Sequence, residues 1–204
     1  MADGHKRGPR LSGPLRKAQI MQVAAELFDT RGYHETSMEA IAEKVGIRKP
    51  SLYYYFPGKD ALLVQMHQEM IDLIISAQRT RLDEGELDPG GLLLAMMTDL
   101  VSLMETHPGH LRIFFEHYRE LPEPVRAEIA GKRDLYQRML VDVLERGVED
   151  GSFRIENPRL TALAVLGMCN WAYQWFRPGG GRTAAEVARY FHDTLLGGIG
   201  TAPA

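Results

Sequence analysis

Apolar positions recur along the chain at the spacing of one helix face. Ile20, Ala24, Leu27 and Phe28 stand at i, i+4, i+7 and i+8, which predicts a first helix over about residues 15–30 with Gly32 as its stop. Met38, Ile41, Ala42 and Val45 repeat at i, i+3, i+4 and i+7 and predict a short second helix. In front of it, Thr36-Ser37-Met38-Glu39 has the spacing of a capping box, with Thr36 as N-cap and Glu39 three residues on. Gly46 follows as the left-handed residue that ends the helix. Pro50 sits where a first-turn proline costs no hydrogen bond, so a third helix runs to about Phe56, with Leu52 and Phe56 inward and Pro57 behind. Leu62, Leu63, Met66, Met70 and Leu73 mark the buried stripe of a longer fourth helix from Lys59 to about Leu82.

Residues 83–91 are acidic and hold Gly85, Pro89, Gly90 and Gly91, which reads as a loop. Five more helices follow over about residues 92–106, 111–120, 124–150, 158–176 and 184–196. Pro108-Gly109, Pro122, Gly151 with Asn157-Pro158, and the run Pro178 to Gly181 separate them. No stretch alternates with period two between hairpin turns. The expected fold is all-α, about nine helices. Three small units follow from the pattern: a flexible basic arm over 1–14, a helix-turn-helix head over 15–74 (the motif itself 37–56), and a helical body over 75–204.

Composition adds limits. With 204 residues, 45% hydrophobic and 25% charged, the chain can build a core without a metal or disulfide staple. Cys169 is its single cysteine and has no intramolecular partner, which fits a reducing cytoplasm. No apolar run approaches the roughly 20 residues of a membrane span, and the basic start lacks the apolar region of a secretory signal, so no membrane partner is expected. The net charge of −3 is unevenly spread. Residues 1–59 hold ten Lys and Arg against six Asp and Glu, an excess of four positive charges, so the rest of the chain carries −7. A basic head on an acidic body points to a polyanion at the head alone.

The second and third helices, joined by a tight glycine turn, describe a helix-turn-helix. Its physics asks for an apolar inner face and an outer face that donates hydrogen bonds to phosphates and base edges. Arg48, Lys49, Ser51, Tyr53, Tyr54 and Tyr55 supply that outer face, because three consecutive tyrosines on so short a helix cannot all be buried. The run from Phe28 through Arg31-Gly32-Tyr33, Thr36-Ser37-Met38, Val45-Gly46-Ile47 and Ser51-Leu52-Tyr53-Tyr54-Tyr55-Phe56 to Lys59-Asp60 resembles the DNA-binding signature of TetR (tetracycline-repressor) family regulators. The resemblance implies a homodimer that sets two recognition helices in successive major grooves of a palindromic double-stranded DNA operator. It implies phosphate contacts for Thr36, Ser37 and Lys59, and groove contacts for Arg48, Lys49, Pro50, Ser51, Tyr53, Tyr54 and Tyr55.

Asn170 to Gly180 and the following Thr183 and Glu186 to Ala188 are similar to the branch of that family that answers to acyl-CoA thioesters. That likeness implies a repressor released by an acyl-CoA or a similar small hydrophobic effector. Met104, Phe115, Tyr118, Met139, Trp171 and Trp175 are the candidate effector residues, although the two tryptophans suit core or dimer packing equally well. Ten methionines suit an adaptable pocket or ordinary core filling. The last two helices are expected to pair with their copies, with Leu163, Leu166, Tyr190 and Leu195 at the interface. An efflux repressor that senses hydrophobic drugs is the alternative regulator, and a helical enzyme or carrier the alternative of another class. No nucleophile-base arrangement stands out for catalysis and no cofactor is expected. His107, His110 and His117 straddle Pro108-Gly109 and read as capping or surface histidines, so no metal site is expected.

Overall fold

The computed structural model describes residues 12–198. Among these residues the fold is nine α-helices and two 3-10 turns, with no strand. In chain order the helices are α1 (Gly13–Arg31), α2 (Met38–Val45), α3 (Lys49–Tyr55), α4 (Lys59–Glu84), α5 (Pro89–Thr106), α6 (Pro108–Glu116), α7 (Glu123–Glu149), α8 (Pro158–Trp171) and α9 (Ala184–Gly197). The 3-10 turns, Tyr118–Glu120 and Ala172–Gln174, follow α6 and α8. The basic arm expected over 1–14 lies mostly outside the described residues; Gly13 and Pro14 already belong to α1.

The head is α1, α2, α3 and the start of α4, closed on Ile20, Phe28, Ile41, Leu52, Phe56 and Leu62, each at most 2% exposed. In the body, α4 packs on α6 and α7, α5 on α7 and α9, and α7 on α8. One apolar core runs through both parts, and each fully buried large side chain contributes about 1.5–3 kcal/mol. Between α4 and α5, the Arg81 guanidinium grips the Asp99 carboxylate with two hydrogen bonds, one of them 2.7 Å. That two-point geometry fixes direction as well as distance.

Where pattern and structure differ, the cause is local. The loop expected over 83–91 shrinks to residues 85–88. Pro89, Gly90 and Gly91 open α5 rather than break the chain, because the Asp88 carboxylate accepts the Gly91 amide at 2.7 Å and Pro89 needs no donor there. Leu73, expected in the buried stripe, is 47% exposed. The stripe continues instead through Met70, Ile71, Ile74, Ile75 and Gln78, which keeps the i+3/i+4 rhythm and leaves Leu73 outside. The helices expected to end at 120 and 176 tighten into their 3-10 turns earlier.

Head and body meet where α6 crosses α1. Gly109 stands at the crossing, and a Cβ there would lie 2.8 Å from the Ala25 carbonyl oxygen. Only glycine lets the two helices come this close. Three residues on, the Arg112 guanidinium pairs with Asp29 of α1 at 2.8 Å.

Candidate DNA-binding head and effector cavity

The geometry of α2 is set at its ends. Ser37 is the N-cap, its hydroxyl accepting the Ala40 amide at 3.1 Å. Thr36, expected as cap and phosphate ligand, is only 1% exposed. Its hydroxyl turns inward to the carbonyls of Gly32, at 2.8 Å, and Leu27, at 3.2 Å. Thr36 thereby pins the end of α1 and its stop residue Gly32 to the start of the turn into α2. At the far end, Gly46 (φ 76°) and Ile47 donate to the Glu43 and Ala42 carbonyls, each at 3.0 Å. This double closure needs a left-handed residue, and it turns the chain sharply into α3.

On α3, Leu52 is buried and Arg48, Lys49, Pro50, Ser51, Tyr53 and Tyr54 are exposed, Tyr54 by 84%. Tyr55, three residues from Leu52, is half-buried against the core, so its ring shares the inner side instead of standing at the groove face. The Lys49 ammonium forms an ion pair with Glu39 of α2 and lies 5.8 Å from the Tyr53 ring. The hydrogen bond from Lys49 holds the Glu39 carboxyl below the usual range and Lys49 above its own. Both groups are in solvent, where such a pair is weak and a phosphate can replace the carboxylate. Lys59, at the start of α4, donates to the Tyr33 and His34 carbonyls at 2.7 and 3.1 Å and sits 4.5 Å from the Tyr33 ring. An ammonium has three donors, so one remains for a phosphate.

In the body, α4, α5, α6, α7 and α8 enclose a cavity of about 370 Å³. Its wall is mainly apolar, with Met70, Ile74, Leu103, Met104 and Phe115 among the contributors. Arg133, Tyr136, Gln137 and Asn170 supply the polar part. The Arg133 guanidinium lies 4.4 Å from the Phe114 ring and 4.3 Å from the Tyr118 ring, and donates to the Phe114 carbonyl at 3.1 Å. Burial pushes its pKa down, and among the described residues it has no carboxylate partner. The Tyr136 hydroxyl is buried without a hydrogen-bond partner among the described residues, and desolvation drives its pKa up. His67, packed 5.3 Å from Phe114, is pushed down to about 4 by burial and is therefore neutral. A neighbouring recess shares Met104 and Leu111 with the cavity and adds Arg112 and Arg177.

Of the six effector residues expected from the sequence, Met104 and Phe115 line the cavity. Tyr118 stands one layer back, its hydroxyl donating to the Arg126 carbonyl at 2.9 Å. Met139 is buried in the core but is not in the wall. Trp171 and Trp175 are 64% and 47% exposed: Trp171 ends the outward face of α8, and Trp175 lies beyond the 3-10 turn Ala172–Gln174. Sequence reading missed Arg133, Tyr136 and Phe114. An arginine among aromatic residues was the one available signal.

Two family models match the chain: "Bacterial regulatory proteins, tetR family" over residues 20–66, and "Tetracyclin repressor-like, C-terminal domain" over residues 86–199. The chain belongs to the TetR family. Its head is a helix-turn-helix of transcriptional regulators. The TetR-family regulator PfmR from Thermus thermophilus is 32% identical, superposes with a TM-score of 0.83, and the match covers 89% of this chain and 99% of that one. The transcriptional repressor KstR2 of Mycobacterium tuberculosis is 28% identical over 194 residues, 93% of this chain and 96% of its own. A structure of AibR in complex with isovaleryl coenzyme A and operator DNA is 28% identical with a TM-score of 0.76, covering 89% of this chain and 98% of that one.

The TetR-family body carries a further exposed surface. Leu160, Leu163, Ala164, Gly167 and Trp171 stand at i, i+3, i+4, i+7 and i+11 on α8, all open to solvent. No residue from Leu160 to Trp171 is charged. Of the four residues expected at a dimer interface, Leu163 and Tyr190 are exposed, while Leu166 and Leu195 are half-buried. Leu163 and Leu166 also line the cavity, so its wall is continuous with this face. Cys169 is buried on the opposite side of α8, its thiol pushed up to about 12 by burial, which suits an inert packing group. No described helix is long and apolar enough to cross a membrane.

Proposed function

We propose that this regulator is a homodimeric repressor whose head, residues 15–74, holds a palindromic operator until an acyl-CoA thioester enters the body, residues 75–204. The cavity carries the reading. An apolar wall suits an acyl chain, and Arg133, a half-buried cation without an acidic partner, suits a carbonyl or anionic group on the ligand. The cavity alone is too small for a whole coenzyme, but the recess at Met104 and Leu111 leads to Arg112 and Arg177, two cations for its phosphates. Arg112 is also the partner of Asp29 in α1. A phosphate that draws Arg112 away from Asp29 loosens the joint between body and head, which gives the effector different affinities for the two conformers. A coupling of about 1–3 kcal/mol is typical of such links. The AibR complex, with a branched acyl-CoA and operator DNA on a related fold, supports the same ligand class. The uncharged α8 face supports the homodimer.

The test is a panel of acyl-CoAs, free fatty acids and cationic drugs, read by thermal midpoint and by release of the protein from duplex flanking its own gene. Acyl-CoAs should raise the midpoint by mass action and release the duplex. Cationic drugs doing so instead would replace this reading with that of an efflux repressor.

A further inference from the structure

We infer that His34, His117 and Glu120 form a binding site for a divalent transition-metal ion of the zinc type at the junction of head and body. The three residues come from two pieces of chain: His34 from the turn between α1 and α2, and His117 with Glu120 from the end of α6 and the 3-10 turn that follows it. Their ligand atoms all lie within 4.8 Å of one another. Glu120 Oε1 is 3.4 Å from His34 Nε2 and 3.2 Å from His117 Nδ1. Zinc bound at ~2.0–2.2 Å from each donor sets donor separations of ~3.3 Å in a tetrahedron, so two edges of the triangle already have nearly that length. His34 has an exposed side chain and closes the third edge by rotation.

The carboxylate is underused as it stands. Both imidazoles address Oε1, while Oε2 is shielded from solvent and has no hydrogen-bond partner among the described residues. A carboxylate in the donor set offsets the charge of a cation. Lys59, the nearby ammonium, is directed at the carbonyls of Tyr33 and His34 rather than at this carboxylate. Two imidazole nitrogens and one carboxylate oxygen favour zinc, cobalt or nickel over calcium or magnesium, and leave a fourth position for water. The ion would tie the turn that leads into Ser37 to the end of α6, whose Leu111 and Phe114 line the cavity. Occupancy therefore stiffens the joint between effector and operator.

Cobalt(II) titrated into chelator-treated full-length protein reads the site directly, with neither DNA nor effector present, so its result is separate from that of the repressor reading. One equivalent per chain should produce visible ligand-field absorption that zinc removes. His34→Ala and Glu120→Gln should each weaken binding by at least ~10–100-fold, the range known for losing outer-shell partners alone. His107→Ala should leave it unchanged. Circular dichroism checks the fold, and His34→Ala, at an exposed position, carries the test if Glu120→Gln unfolds. No one-equivalent binding, or binding that survives both substitutions, overturns the proposal and leaves the cluster as a hydrogen-bonded contact between head and body.

Discussion

Two regions of this chain display aromatic side chains to water, and they set them among different neighbours. On α3, Tyr53 and Tyr54 stand among Arg48 and Lys49, on a helix that turns its one leucine, Leu52, inward. On α8, Trp171 follows Leu160, Leu163, Ala164 and Gly167 along a face without a single charge. Exposure is common to both. The neighbours decide the partner: donors and cations for a polyanion, small and apolar residues for another apolar helix. The first surface gains by staying wet and the second by drying, and that contrast can be tested.

The largest effect is expected on the dry face. Ala164→Glu places a carboxylate in the middle of the α8 stripe, where a dimer would bury it unpaired. Leaving one uncompensated buried charge costs about 3–5 kcal/mol. The substituted protein should run as a monomer in sedimentation or light scattering while keeping its helical spectrum, since position 164 is exposed in the single chain. It should also lose its preference for a palindrome over a half-site. An unaltered dimer mass would move the interface away from α8.

The next effect separates two adjacent hydroxyls that the sequence could not tell apart. Thr36→Val removes a buried donor to the Leu27 and Gly32 carbonyls. It should lower stability by about 1–3 kcal/mol and leave the salt dependence of DNA binding unchanged. Ser37→Ala removes a cap and should cost about 1 kcal/mol. If Ser37 also meets phosphate, its loss weakens binding to all duplexes. A loss of affinity on all duplexes with Thr36→Val and none with Ser37→Ala would reverse the assignment.

These pairs show what was legible in the sequence. Helix ends in the head are written in neighbouring residues, so Gly46, Pro50 and Leu52 fall where their spacing placed them. Thr36 failed because two competent caps adjoin, and the choice was made by carbonyls of α1 that only the folded chain brings near. In the body the helices were readable but the cavity was not. Its wall is assembled from five helices, and Arg133 and Tyr136 become wall residues only through the way α7 rotates against α4 and α6. Trp171 and Trp175 carried a helical spacing, yet the 3-10 turn at Ala172 breaks it, leaving Trp171 at the end of the outward face of α8 and Trp175 beyond the turn, both exposed. His34 and His117 are distant in sequence and meet across the junction of head and body. No local pattern announces such a meeting.

A smaller effect concerns charge on the wet face. Lys49 is paired with Glu39 in the free protein. Lys49→Ala should leave the thermal midpoint nearly unchanged, because the pair is fully exposed. If Lys49 exchanges Glu39 for a phosphate, the slope of log affinity against log salt should fall by about 0.9. Glu39→Gln should strengthen binding at low salt by removing the competitor. A slope indifferent to Lys49 would mean that the ion pair persists on DNA.

The smallest effect is the most discriminating for α3. Tyr53→Phe deletes one oxygen and keeps the ring, and so keeps its packing beside the Lys49 ammonium. In the free protein Tyr53 is 41% exposed, so losing the hydroxyl should not alter stability measurably. On operator DNA, a hydroxyl bonded to a phosphate or base edge contributes about 1 kcal/mol, roughly a fivefold change in affinity. The salt slope separates the two partners only weakly, because the hydroxyl carries no charge. Base substitution in the operator separates them better. A base-edge contact makes the loss depend on the base opposite α3, whereas a phosphate contact gives the same loss on every duplex. An affinity equal to that of the parent on all of them would assign the Tyr53 hydroxyl to water and leave Arg48, Ser51 and Tyr54 to read the groove.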